Sequence, residues 1–348
     1  MYTETQSKAE QLNRLLNDKN VVALTSREYL EPVTGKGTTI QPATYADKGY
    51  LISAGVAVID SVQSQANRLE GIFTQPPYST LVPQVTVEQT DGIKNLLEIG
   101  HRLADAVVRY SDANPTVHTA FANARAGDFT ALAKLNPTAL ILGVWDSRDT
   151  RVKVPRAFSS QIDAFGIRGI RDRAAQFVSS ATEATKAIVG VTDDEEASTK
   201  KSSDKRSAEG FNDIPSFDEQ RGGIIADEIV RTSIISMQLV RKGDAALQNY
   251  LFGLALVMFT YPMAGDLRSG TLLVSDSNRP MKVEVVYRNG KRESIDITHE
   301  DALEFAQEAA AAFGVGENKT FTLNESTYLA AQKVLDGKAE KSGKKGKK

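Results

Sequence analysis

The stretch PMKVEVVYRNGKRESIDI, residues 280–297, alternates apolar and polar side chains on both sides of Asn289-Gly290. Period-two alternation is the mark of a half-buried strand, and Asn-Gly tolerates the positive φ of a two-residue type I′ turn, so the segment predicts a tight β-hairpin. Thr298 then caps a predicted helix through residue 313, and Asn324 starts another through about 335. An antiparallel hairpin running into helices points to an α+β fold around an antiparallel sheet.

Working back from the hairpin, DAALQNYLFGLALVMFTYP and IIADEIVRTSIISMQLVRKG each read as a helix with an apolar face broad enough for a core. Residues 4–18 read as a short amphipathic helix on Ala9, Leu12, Leu15 and Leu16, and 20–30 and QVTVEQ read as strands. Residues 50–60 read as a strand feeding a helix over 60–73. GIKNLLEIGHRLADAVVRY (92–110) has helical spacing, smaller helices are expected at 117–125 and 128–134, and TALILGVWDS (138–147) reads as a strand that residues 155–167 pair with. Residues 191–209 hold charges, Ser and Thr with little to bury, and read as a flexible insertion. The expected organisation is 1–190 and 210–337 as two parts of one α+β unit, with that insertion between them and a disordered Lys-rich tail at 338–348.

At 348 residues the chain is long enough for a real core. It has no cysteine, which excludes disulfides and thiolate chemistry. The polar start is no secretory signal, and the longest apolar run, 250–263, is too short to span a bilayer, so a cytoplasmic protein is expected. Net charge is −2, but the tail carries six Lys and one Glu, leaving −7 for the rest. Against that acidic body, Arg148, Arg151, Lys153, Arg156, Arg168, Arg171 and Arg173 form a basic seam, offset by Asp146, Asp149, Asp163 and Asp172. A local seam of this kind is consistent with a bound phosphodiester backbone.

Catalytic signatures are missing. His101, His118 and His299 are isolated, TGKGTT (34–39) lacks the spacing of a phosphate loop, and no metal-ligand cluster or nucleophile elbow is found, so neither cofactor nor metal is expected. Two segments survive. On the helix DSVQSQANRLEGIF (60–73), Val62, Ala66, Leu69 and Phe73 make an apolar stripe, while Gln63 with Asn67, and Ser64 with Arg68, stand one helical turn apart. That amide-rich face faces either a polar network inside the protein or an external ligand rich in acceptors. The second segment, WDSRDTRVKVPRAFSSQ (145–161), concentrates Arg148, Arg151, Lys153 and Arg156 with Ser159. It is either a salt-bridged loop using Asp146 and Asp149 or a phosphate-binding loop. Arg268 adds a cation between the glycines of GDLRSG (265–270).

SVQSQANRLE, RVKVPRAFSSQI, GGIIADEIVRTSI and LALVMFTYPMAGDLRSGTLLV occur in this order. Together they resemble the type I-G (formerly I-U) backbone subunit of the CRISPR RNA-guided surveillance complex, within the RAMP superfamily, over most of residues 20–280. The resemblance implies a modified RRM-like, ferredoxin-type palm with inserted finger and thumb elements. Copies would stack as a filament along the spacer of a guide RNA (crRNA) and present it to target DNA, beside the other subunits of the complex. It places Gln63, Ser64, Asn67 and Arg68 against phosphates and riboses, with Arg148, Arg151, Lys153 and Arg156 on the loop and strand beside them. No paired aromatics for base stacking are evident on any strand, which fits a grip on the backbone alone. Some relatives cut RNA with a loop aspartate, for which Asp149 or Asp47 would stand, but a type I backbone subunit is expected to be no enzyme. The alternatives are an RNA-processing endoribonuclease of the same superfamily and a structural self-assembling protein.

Overall fold

The computed structural model describes residues 7–45, 49–170, 222–262 and 265–324, with residues 326 and 329. The insertion at 191–209, Asp47, Arg171, Arg173, the expected helix from 324 to 335 and the Lys-rich tail fall outside them.

Helix α1 (Lys8–Asn17) starts at Ser7, whose side chain and that of Glu10 close a capping box, and it buries Leu12, Leu15 and Leu16. Its C-terminal carbonyls receive the guanidinium of Arg241, which donates to Leu15, Leu16 and Asp18 oxygens. Strand β1 (Val21–Pro32) follows. Residues 50–60 form a hairpin rather than one strand: β2 (Ile52–Ser53) and β3 (Val56–Asp60) flank Ala54 and Gly55, both at positive φ. Helix α2 (Val62–Gly71) comes directly after.

Residues 92–110 do not form the expected helix. They form a short strand, Gly92–Asn95, which pairs with Val85–Gln89, then two 3-10 turns and one helical turn, Ala106–Arg109. Asn95 and Asp105 each cap a new turn, and Arg102 takes a positive φ, so the backbone restarts repeatedly. Helices α3 (Asn114–Arg125) and α4 (Thr130–Leu135) match expectation. The expected strand 138–147 is mostly helix: α5 (Pro137–Leu142) begins at Asn136, whose side chain accepts from Ala139 N–H, with proline at the first helical position. The run is buried throughout, and a continuously buried segment, apolar but for Thr138, carries no period to distinguish helix from strand.

Only Val144–Trp145 (β4) is extended there, pairing with Lys153–Val154 (β5) as a small ribbon. Residues 158–165 (β6) pair instead with β3 and with Glu228–Ser236 (β7). Strand β7 lies inside the stretch expected to be a helix. Its β-branched residues favour extended backbone, while Arg231 and Ser233 on its inward face hide the alternation. Helix α6 (Ala245–Thr260) is buried along nearly its whole length. Gly253 allows a close approach to the backbone of Ala306, where a Cβ would meet Ala306 Cα at 2.8 Å.

Strands β8 (Gly265–Arg268), β9 (Thr271–Ser275), β10 (Lys282–Tyr287) and β11 (Arg292–Ser294) come next. The β10–β11 hairpin is as predicted, but not its turn. Gly290 alone takes positive φ, its N–H donates to Tyr287 oxygen and Tyr287 N–H donates to Lys291 oxygen, giving a three-residue loop with glycine at the left-handed position. Helix α7 (His299–Phe313) is capped by Thr298 with a reciprocal bond from Asp301.

The main sheet has the order β8-β9-β1-β7-β6-β3-β2, and β10 also pairs with β1. Every pairing in it is antiparallel. The fold is therefore α+β, with β7 from the second half of the chain inserted between β1 and β6 of the first. One end of the inward face, at Leu24, Phe158 and Ile235, packs on the helices; the other, at Leu30, Ile162 and Ile229, forms a smaller core with Ile40, Ile59 and Leu273. Among the described residues, no helix is long and apolar enough to cross a membrane.

Candidate nucleic-acid interface

Helix α2 springs from Asp60, the last residue of β3, with the Ser61 hydroxyl accepting from Ser64 N–H. Its apolar stripe, Ala66 and Leu69, continues to Phe73 in the core. The flanks on either side of that stripe are polar and also buried: on one, Gln65 donates to Asp60 Oδ2 at 2.7 Å and accepts from Ser160, which in turn accepts from Ser233. On the other, Glu70 meets Arg102 at 2.8 Å and accepts from Thr138 at 2.6 Å. Burial pushes the Glu70 carboxyl up, against the opposing pull of Arg102. The remaining face is open. Gln63 donates to Asn67 Oδ1 at 2.9 Å, and Gln63 Oε1 accepts from Arg156 Nη2 at 3.0 Å. The amide-rich helix thus serves both readings, with internal and external polar faces.

Asp60 is fully buried and holds two cations. Arg68 Nε lies 3.3 Å from one carboxylate oxygen and Arg68 Nη2 donates to Leu267 oxygen. Arg268 Nη2 reaches the other oxygen at 3.1 Å, and its Nη1 donates to Ile59 and Gln41 oxygens. These two arginines fasten β8 to the end of β3, so the structure separates them from the open cations. Ser64 is half-buried, and Ser159 projects from the opposite side of the sheet to Ser160, away from α2, because successive strand residues alternate.

The ribbon β4–β5 stands beside the open face. Its base is fixed by Arg102, which donates to Gly143 oxygen, and by Arg156, whose Nε donates to Leu142 oxygen at 3.0 Å. The loop over its tip is organised by Asp146, which is buried and accepts from the N–H groups of Arg148, Asp149 and Thr150 and from the Thr150 hydroxyl. Burial would raise the Asp146 carboxyl, but these bonds prevail and hold it below the usual range. Asp146 is therefore turned into its own loop, and Asp149 sits 3.9 Å from His118. Among the described residues neither pairs with Arg148, Arg151 or Lys153, and those three exposed cations form no ion pair. Arg151 also holds a left-handed φ of 60°, uncommon for a side chain of its size.

Between the ribbon and α2 lies a groove of about 460 Å³ lined by Gln63, His101, Trp145, Lys153 and Arg156 among others, and by no Asp or Glu. Burial, with the neighbouring charge of Arg102 as the smaller cause, lowers the Arg156 pKa. Sequence reasoning missed Asp60, Arg102 and Trp145. The visible signal was one tryptophan at the head of the basic seam.

The histidines stay apart. His101 is exposed, and His299 is held between the Tyr78 hydroxyl at 2.8 Å and the Thr260 hydroxyl at 2.9 Å, where burial lowers its pKa. Among the described residues, no three His, Cys, Asp or Glu side chains form a metal site.

Residues 24–169 match the family model of CRISPR-associated protein GSU0053. The family is CRISPR-associated, and the match runs from β1 through β6, taking in α2, the ribbon and its loop. Every residue of the groove falls in the matched stretch, whereas Arg268 falls beyond it. No curated protein matches the chain.

Proposed function

We propose that this CRISPR-associated chain is a non-catalytic crRNA-binding backbone subunit that lines up with copies of itself along the guide of a type I effector complex. In that role it leaves the bases to pair with target DNA and docks with the other subunits. The reading rests on one observation. Within an acidic chain, Lys153 and Arg156 line a groove free of carboxylates together with Gln63, and the loop at the tip of the same ribbon carries the exposed, unpaired Arg148 and Arg151. Exposed cations without counter-charges repel one another, and a phosphodiester strand relieves that repulsion. Arg151, on the loop at the ribbon's tip, is held in a left-handed conformation, which agrees with strain kept at a functional site.

The palm is proposed to be of the modified RRM, ferredoxin-like kind. Strands β1, β6, β7 and β10, with α2 after the first and α6 after the third, follow the β-α-β-β-α-β pattern, and β10-β1-β7-β6 are neighbours in that order.

The test is fluorescence anisotropy of a labelled single-stranded guide RNA with nuclease-treated protein across a salt series. For single strands the log–log slope is about −0.7 per phosphate neutralised, so three open cations predict about −2 or steeper. Absent or salt-insensitive binding refutes the proposal. Repeat RNA incubated with the protein should remain intact; specific cleavage would make the chain an endoribonuclease instead.

A further inference from the structure

The chain has a single tryptophan, Trp145, and 60% of it is exposed. Its neighbour Val144 is buried, and the strand beneath is tied down through the Arg102–Gly143 and Arg156–Leu142 bonds. Gly143, at φ +85°, lets the ribbon close tightly, since a Cβ there would meet Arg156 N and Val154 O at 3.3 Å. The indole is thus a large apolar plate on a rigid mount, facing solvent. Lys153 is its cross-strand partner, with Nζ 5.6 Å from the ring centroid, and Arg156 and Gln63 continue the same groove.

An exposed aromatic plate among apolar residues would suit a protein partner. Here the lining sets the cations Arg102, Lys153 and Arg156 and the Gln63 amide beside Leu142, Val144, Val154 and Pro155, with no carboxylate. A π-face beside cations matches a ligand that joins a flat base to an anionic backbone, which is the chemistry of single-stranded nucleic acid. We infer that Trp145 is a stacking platform for one unpaired base of a bound RNA strand, while Lys153 and Arg156 take the flanking phosphates. The inference rests on the RNA-binding reading above and departs from a grip on the backbone alone.

Because Trp145 is the only indole, its emission reports on this site directly. Nuclease-treated protein is titrated with a short oligouridylate and with an abasic ribose-phosphate oligomer of the same length, following intrinsic fluorescence and, with labelled strands, anisotropy. The expected result is quenching by oligouridylate but not by the abasic strand. Trp145→Ala should weaken oligouridylate binding about 5- to 150-fold, the range for one base stacked on an aromatic ring, and Trp145→Phe should retain most of it. Circular dichroism confirms that each variant folds. Anisotropic binding with unchanged emission, equal quenching by the abasic strand, or unaltered affinity in Trp145→Ala each overturns the platform and leaves the RNA-binding reading standing. If neither strand binds, both readings fall. A loss of self-association in Trp145→Ala with RNA affinity intact assigns the ring to a protein contact, also overturning it.

Discussion

Arg68 and Arg268 lie where α2 and β8 meet the end of β3, whereas Arg148 and Arg151 lie on the loop beyond Trp145. All four carry the same guanidinium, and what separates them is a counter-charge. Asp60 is buried between the first two, accepting a hydrogen bond from Arg268 and forming an ion pair with Arg68, so those arginines close a joint in the framework. Of the carboxylates in the second pair's loop, Asp146 is occupied with the backbone of that loop and Asp149 faces His118. A cation supplied with an internal partner stabilises the fold; one denied a partner is available to a ligand. Arg156 belongs to both groups, anchored through Nε and open through the Gln63 side.

The contrast breaks most visibly at a framework pair. Glu70→Ala leaves Arg102 buried without its carboxylate and should cost about 3–5 kcal/mol, measured by chemical denaturation; a cost under about 1 kcal/mol would mean that Arg102 does not depend on it. Arg268→Ala removes three hydrogen bonds around Asp60 and should cost about 1–3 kcal/mol while leaving the salt slope of RNA binding unchanged. Arg148→Ala should reverse that pattern, with stability within about 0.5 kcal/mol of the parent and a salt slope shallower by about 0.7. Arg151→Gly sharpens the point, because glycine accepts the left-handed φ without steric cost, so the slope should fall with no loss of stability.

The smallest effect is a pH dependence. Burial lowers the folded-state pKa of His299, so below about 6.5 the unfolded chain takes up a proton that the folded chain resists. Stability should therefore decline as pH falls through and below 6.5. Denaturation midpoints for the parent and His299→Gln should converge toward acid pH; parallel curves would exclude His299 as the source.

How much was legible beforehand follows from the range of the forces involved. The cap at Thr298, the stripe Ala66–Leu69–Phe73 and the β10–β11 hairpin are set by side chains within a few residues of one another, and each was readable; the Ser7 cap was passed over, the first helix being expected from residue 4. The basic seam was also plain, since charge can be counted. Besides residues 50–60, where a turn at Ala54 and Gly55 was missed, three wrongly assigned segments, 92–110, 138–147 and the stretch holding β7, share a different character. Their apolar content suits helix or strand equally, and neighbours decide between them. Strand β7 is extended because β1 and β6 bond to it from both sides.

The sequence by itself determined the α+β class, the Thr298 cap, the β10–β11 hairpin, and the presence of a cationic loop and an amide-rich helix. Only the tertiary structure decided which polar groups are spent inside. Gln65 meets Ser160 across 95 residues and Arg268 meets Asp60 across 208, contacts that no local pattern encodes. A buried polar group is stable only when its partner is delivered to hydrogen-bonding distance, and delivery is the work of the whole chain. By satisfying Asp60 and Glu70 from within, the fold leaves Gln63, Arg148, Arg151 and Lys153 facing outward beside Trp145.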